Sequence, residues 1–498
     1  MVAHSMTAII SFASAAVALH PVDLAALPGV PTSPIVPPSL HAGYLNTTYN
    51  DLSLRTFAIY SEHADVNAPL IIWMNGGPGA SSLMGFFNEL GPYLINGGSV
   101  PPTGSAAWQL RRNAYSWASI GSLLAWEQPA GVGFSRCVAG PCEGFVWNDT
   151  SSATANFNIL TAFFDAHPAE RSRDVYIIGE SYGGVYVPLL ASHVVANANA
   201  IPIKLKGIAV GNGCVGFAVE GGCGIDSLDL FVGVLENGAP GVDRAILAAA
   251  RGACGDELRQ GKQTAADLTP PCAAALVDVF EEVAVYNQYS WGSPCGPDGD
   301  GNWGEGAAFE CGGSTALTLY LTTLETQKAL HVVAPTASVP LAWQMWDGDS
   351  PFYNITAANV LPTYEALLAA SKVPVLIYNG LRDTGVPALG ARRWVPTVGG
   401  VIAAPRRKWA PVAARSNSTK ARNNNAPWLT EIGGHVTVYE NGLTYVEVIG
   451  AGHLVPAERP RSAHTMIESW VGGRELPEYL GPKCKRLWLG RGYGTFCK

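Results

Sequence analysis

The chain has 498 residues, of which 48% are hydrophobic and 14% charged, with a formal net charge of −8. Such a composition excludes a disordered chain and supplies enough apolar surface for a large core or for two domains. The acidic balance also excludes non-specific nucleic-acid binding, which needs clustered Lys and Arg.

The N-terminal stretch MTAIISFASAAVAL is apolar and ends in small residues, and Ala16-Val17-Ala18 fits a small-x-small cleavage pattern. It is shorter than the roughly 20 residues a spanning helix needs. Residues 1–18 therefore read as a signal peptide rather than a membrane anchor, although only His4 stands where basic residues usually precede such a segment. Residues 19–40 are rich in Pro without periodicity and read as an extended arm. Residues 41–498 read as one catalytic domain.

Apolar, β-rich runs then recur along the chain: APLIIWMNG, SLLAWEQP, RDVYIIGES, LKGIAVGNG, VPVLIYNGL and LTYVEVIGAGH. Continuous apolar runs that end in Gly suit buried strands of a mostly parallel sheet. Helical candidates over 151–167 and 184–199 alternate with them, which predicts an α/β fold. Residues 214–320 interrupt the alternation with six of the ten cysteines, many glycines and helical stretches, and read as an insertion roofing one end of the sheet. The basic segment 403–427, with Arg406, Arg407, Lys408, Arg415, Lys420 and Arg422, reads as a solvated surface loop.

The even cysteine count and the close spacing of Cys137/Cys142, Cys214/Cys223, Cys254/Cys272, Cys295/Cys311 and Cys484/Cys497 predict up to five local disulfides in an oxidising compartment. No Cys-x2-Cys pairs occur with a matching partner pair, so no zinc or other metal site is expected, and no cofactor motif is read. Four sequons, at Asn46, Asn148, Asn354 and Asn417, agree with a secretory route.

Within RDVYIIGESYGG, Ser181 lies between Gly179 and Gly183, after a strand-like run and before a helix-like one. A Gly-x-Ser-x-Gly in that context is the nucleophile elbow of an α/β-hydrolase, holding the serine hydroxyl up on a strained turn. An alcohol needs a base, and His453 follows another strand in a Gly-flanked loop. Asp383, after a further strand, can orient the imidazole. The order Ser, Asp, His is the one this fold uses. WMNGGPGASS, after the PLII run, exposes backbone N–H groups. Gly77 and Tyr182 are the predicted oxyanion donors.

The segments WMNGGPGASS, NELGP, WEQPAGVGFS, GESYGG, GNG at 211–213, QKALHV, YNGLRDTGVP and GAGHLVP together resemble the serine carboxypeptidase family, from about residue 40 to the C-terminus. The resemblance implies an α/β-hydrolase with a helical insertion that removes C-terminal amino acids from peptides, usually best at acidic pH. It places Ser181, Asp383 and His453 on the triad positions and Gly77 and Tyr182 on the oxyanion positions. It also places Trp73, Asn75, Glu89 and Glu180 on positions that bind the substrate's C-terminal carboxylate.

Two neighbouring carboxyl groups do not readily both ionise, so a protonated Glu can donate a hydrogen bond to that carboxylate. Three positions depart from the family pattern. Ala80 stands where a disulfide-forming Cys is usual. Leu381 replaces the first acid of a Gly-Asp-x-Asp loop. Glu127 replaces an Asp. The expected substrates are peptide or protein C-termini, and the expected location is secreted, vacuolar or lysosomal. The alternatives are a carboxypeptidase-like acyltransferase or esterase with the same triad, and a catalytically silent scaffold.

Overall fold

The computed structural model describes residues 19–479 apart from 32–38, 102–106, 139–141, 143–144, 239–240, 262–266, 294, 296–310, 312, 345–352 and 412–431, and the backbone of 484–488 and 493–497. The predicted leader, residues 1–18, lies outside the described residues.

All six apolar runs form strands: Leu70–Met74, Ser122–Trp126, Asp174–Glu180, Lys204–Gly211, Val375–Gly380 and Leu443–Val448. They are parallel and lie in the order Ser122–Trp126, Leu70–Met74, Asp174–Glu180, Lys204–Gly211, Val375–Gly380, Leu443–Val448. Antiparallel strands extend both edges. Leu52–Glu62, Ser39–Tyr49 and His20–Pro21 continue one side, and Gly434–Tyr439 and Ile402–Trp409 the other. The arm is thus tied to the sheet at His20–Pro21, with Leu19 and Leu27 buried.

The strands are apolar throughout because both sheet faces are covered. Along Leu70–Met74, Leu70, Ile72 and Met74 enter one core, whereas Ile71 and Trp73 enter the other. Helices Asp149–Ala166 and Gly183–Ala196 cover the first face. Pro460–Val471 and Gly313–Leu321 cover the second. Each fully buried Leu, Ile or Phe side chain contributes about 1.5–3 kcal/mol relative to exposure. Neither face therefore tolerates a polar strand position without a partner.

The predicted insertion falls between Lys204–Gly211 and Val375–Gly380. Its helices Ser227–Gly238, Arg244–Cys254 and Pro270–Val283 enclose a small core of their own, containing Val232, Leu247, Leu276, Val279 and Trp291. Four predicted disulfides are present: Cys137–Cys142, Cys214–Cys223, Cys254–Cys272 and Cys295–Cys311. The side chains of Cys484 and Cys497 lie outside the described residues.

One expectation is overturned. The start of the basic segment is not a loop but the edge strand Ile402–Trp409. Most of its residues are exposed and three, Arg406, Arg407 and Lys408, are charged, which masks the strand pattern while protecting a sheet edge from pairing with other chains. Arg406 reaches the buried Glu447 at 2.6 Å. The rest of the segment, from 412 on, lies outside the described residues.

Candidate active site

The Asp174–Glu180 strand is central, and its end is unusually crowded. A Cβ on Gly179 would come within 2.7 Å of the Met74 carbonyl oxygen on the neighbouring strand and 2.8 Å of Val187 Cγ2 on the following helix, so only glycine lets both pass this close. Ser181 then takes a positive φ of 60°, the left-handed region that side chains avoid. Its N–H donates to Gly211 O at 2.9 Å, and its carbonyl accepts from Cys214 N–H at 2.9 Å. Tyr182 caps the Gly183–Ala196 helix. Gly76 lies against this turn, where a Cβ would meet Tyr182 N at 2.3 Å. The backbone of the Gly76-Gly77 loop and the amide of Tyr182 therefore face one another beside Ser181.

Asp383 follows the Val375–Gly380 strand and His453 the Leu443–Val448 strand, so both reach the same edge of the sheet. In open α/β sheets, sites form along this carboxyl edge. Both residues are buried, and His453 Nδ1 donates to Asp383 Oδ2 across 2.6 Å. The Asp383 carboxyl group also accepts from Asn212 Nδ2 at 2.8 Å and from the Gly385 and Val386 N–H groups. Burial alone would lower the His453 pKa. The Asp383 charge and hydrogen bond, helped by Glu89 and Glu458, outweigh it and hold the imidazole above its ordinary range.

The insertion supplies the back wall. Tyr289 O accepts the His453 N–H at 2.6 Å, and its ring lies 4.9 Å from the imidazole. Trp291 N–H donates to Arg382 O, and Thr384 N–H to Gln288 O. Ser290 Oγ donates to Glu458 at 2.5 Å. Burial pushes Glu458 up to about 7, with the charge of Asp383 adding to the effect.

A second buried cluster stands on the other side of Ser181. Asn75 Oδ1 accepts from Trp73 Nε1 at 2.7 Å and from Gly85 N–H at 3.0 Å, which fixes the amide so that Nδ2 donates to Glu180 Oε1 at 3.1 Å. Glu89 and Glu180 are 1% and 2% exposed, too little for water to stabilise a charge. Neither Glu89 carboxyl oxygen has a hydrogen-bond partner of normal geometry among the described residues, although Asn75 and Glu180 lie near enough to hold part of its upward shift in check. Burial pushes Glu89 up to about 7. Glu180 rises well above the carboxylate range, first through burial and then through the nearby charges of Glu89 and Asp383. Such a pair keeps a proton into the neutral range and presents a hydrogen-bond donor where two carboxylates would otherwise repel an anion.

The sequence motifs thus converge: Trp73, Asn75, Gly77, Glu89, Glu180, Ser181, Tyr182, Asp383 and His453 all cluster at this edge. Sequence reasoning missed Asn212, Tyr289, Ser290 and Glu458. Asn212 sits at φ 43° inside the GNG stretch, and an Asn between two glycines after a strand was the available signal. Leu381, at the position of the missing family acid, lines a cavity of 480 Å³ beside the apolar Val234, Trp291 and Leu389 and the polar Asn237, Arg382 and Arg392. Glu127 is fully buried and accepts from Ser81 Oγ, Phe134 N–H and Trp343 Nε1, and burial pushes it up to about 7.

Of the sequons, Asn354 is exposed and Asn46 and Asn148 are half-buried, while Asn417 lies outside the described residues. Asn148 caps the Asp149–Ala166 helix. Among the described residues, no group of three or more His, Cys, Asp or Glu side chains is arranged to hold a metal ion. No described helix is long and apolar enough to cross a membrane.

Comparison with known proteins bears on the family and the fold. The chain is 29% identical to serine carboxypeptidase-like 33 of Arabidopsis thaliana, over 90% of this chain and 91% of that protein. It is 26% identical to the lysosomal protective protein of Mus musculus, over 90% and 93%. In fold it resembles the crystal structure of Kex1(Δ)p, a prohormone-processing carboxypeptidase from Saccharomyces cerevisiae, with a TM-score of 0.68 and 20% identity over 96% of this chain and 99% of that one. The family model for serine carboxypeptidases matches residues 28–473, and the chain belongs to that family of serine-type hydrolases.

Proposed function

We propose that the protein removes C-terminal residues from peptides by a Ser181–His453–Asp383 acyl-enzyme mechanism, with Trp73, Asn75, Glu89 and Glu180 reading the free carboxylate. The observation that carries this reading is the buried Asn75–Glu180–Glu89 cluster beside Ser181. Ester or amide hydrolysis alone gives no reason to bury two acids next to a nucleophile.

Ser181 Oγ attacks the scissile carbonyl while its proton passes to His453 Nε2, since Nδ1 is committed to Asp383. The N–H groups of Gly77 and Tyr182 receive the developing oxyanion. The amine leaves with the proton from Nε2, and water repeats the sequence to release the shortened peptide. Asn75 and the protonated member of the Glu pair donate to the substrate carboxylate. Arg would bind it at any pH, whereas a shared proton binds it best in acid.

The acidic working range, the signal peptide over 1–18, the arm over 19–40, the domain over 41–498 with its insertion at 214–320, glycosylation at the four sequons and residence in a secretory, vacuolar or lysosomal compartment belong to the same proposal. The four disulfides and the name of the mouse relative support it.

The test uses a blocked dipeptide and its amide and ester counterparts, together with fluorophosphonate labelling. The free acid should be the best substrate, and Ser181→Ala should abolish labelling. His453→Ala and Asp383→Asn should lower kcat by on the order of 10²-fold or more with the fold intact. Near-normal turnover in either variant would overturn the triad. Preference for the ester or amide would instead indicate an esterase or acyltransferase.

A further inference from the structure

We infer that Asp149 is a positioning residue for the oxyanion site, acting through the phenol of Tyr182. The inference rests on the reading of Ser181 and Tyr182 above. Asp149 opens the Asp149–Ala166 helix, away from the nucleophile in sequence, and is 3% exposed. Its carboxyl group accepts five hydrogen bonds. Tyr182 Oη donates at 2.6 Å and Tyr353 Oη at 3.0 Å to Oδ1. Thr356 N–H donates at 2.6 Å, Thr356 Oγ1 at 2.8 Å and Ala357 N–H at 2.7 Å to Oδ2. One buried acid therefore joins three parts of the molecule: the start of a sheet-covering helix, the residue after the nucleophile, and the 353–357 strap. The strap is held independently, since Tyr353 and Asn354 pair with Trp147 and Asn148.

Tyr182 needs such a tether. Ser181 is held at φ 60°, a conformation that persists only where its surroundings over-determine it. Backbone bonds from Ser181 N–H to Gly211 O and from Cys214 N–H to Ser181 O hold the front of the turn. Tyr182 has no side-chain cap on its own helix, and its phenol reaches outward to Asp149. The Cys214 and Gly184 N–H groups hold the Ser181 carbonyl and so the plane of the Tyr182 amide, whereas the phenol fixes where the Tyr182 Cα and its Cα–Cβ bond stand. A ring pinned at 2.6 Å to a saturated carboxyl group resists displacement of that Cα and so keeps the N–H in register with the place where the oxyanion forms.

A residue that aims an oxyanion donor acts on the transition state and little on ground-state binding. Tyr182→Phe removes only the tether and keeps the packed ring, and Asp149→Asn removes the acceptor. In the full-length enzyme, turnover of a blocked dipeptide and inhibition by a blocked amino-acid aldehyde, whose adduct places an oxyanion in the same site, are measured for both variants. The expected result is a fall in kcat of about 10-fold with KM within about twofold, and a parallel weakening of the aldehyde. If Asp149→Asn does not fold, Tyr182→Phe alone decides the matter. Unchanged kcat and aldehyde affinity, or a change confined to KM, in a Tyr182→Phe enzyme whose wild type turns over and labels with fluorophosphonate would overturn the role of Asp149 and leave the catalytic reading intact. A wild type that neither turns over nor labels would remove the catalytic reading itself, and this inference with it.

Discussion

Three buried acids stand at the proposed site besides Asp383, and two of them, Glu89 and Glu458, act on the charge of His453. Glu89, Glu180 and Glu458 are all pushed upward by burial, Glu89 and Glu458 to about 7. When protonated, Glu89 and Glu458 cease to add negative charge near His453, so its pKa falls back toward what the Asp383 contact alone sets and more of its base form is present. Glu458→Gln removes one of these charges permanently. The acidic limb of its kcat/KM profile should move to lower pH, and a limb unchanged or moved upward would exclude this coupling. The Glu89–Glu180 pair makes a separate prediction. Its shared proton is present below its raised pKa and lost above it, so KM for a free-acid peptide should rise with pH before kcat falls. A KM that stays constant from about pH 4 to 7 would sink this account of carboxylate recognition.

Among the elements, the three insertion helices enclose a small core of their own, and Cys254–Cys272 cross-links two of them. The insertion reaches the active site through the 287–293 segment, whose backbone braces the Asp383 and His453 loops. The Cys254–Cys272 bond closes a loop of sequence separation 18, for which chain entropy alone gives about 3 kcal/mol. Replacing both cysteines by Ala should raise hydrogen exchange and proteolysis within 227–283 while the central sheet stays protected. Because Tyr289 and Trp291 anchor to the catalytic loops, kcat should fall along with that local loosening. Uniform destabilisation of sheet and insertion together would show that the two are one cooperative unit.

At the scale of the molecule, four buried carboxyl groups, Glu89, Glu127, Glu180 and Glu458, bind protons more tightly when folded than when unfolded. Stability from such groups is greatest below their unfolded pKa near 4.5 and is lost as pH rises toward about 7. The half-buried His41 and His167 act the other way. Burial lowers both, so their protonation costs stability as pH falls through the histidine range. The melting temperature should therefore decline between about pH 5 and 8, with a shallower decline in Glu89→Gln. A melting temperature that climbs over that interval would show the histidines to dominate.

Local chemistry is what the sequence by itself determined. The elbow at Ser181 was legible because Gly179 answers a steric demand that no other residue meets, and the six strands because both of their faces are covered. Asp383 and His453 were legible because each follows such a strand. The edge strand Ile402–Trp409 was not, since most of its residues are exposed and it shows no apolar pattern. The partnerships were decided only by the tertiary structure. Asn212 meets Asp383 across 171 positions, Asn75 meets Glu180 across 105, and Thr356 meets Asp149 across 207. Sequence patterns report what a residue asks of its neighbours along the chain. Burial and the hydrogen bonds that make burial tolerable depend on residues that only the fold brings within reach.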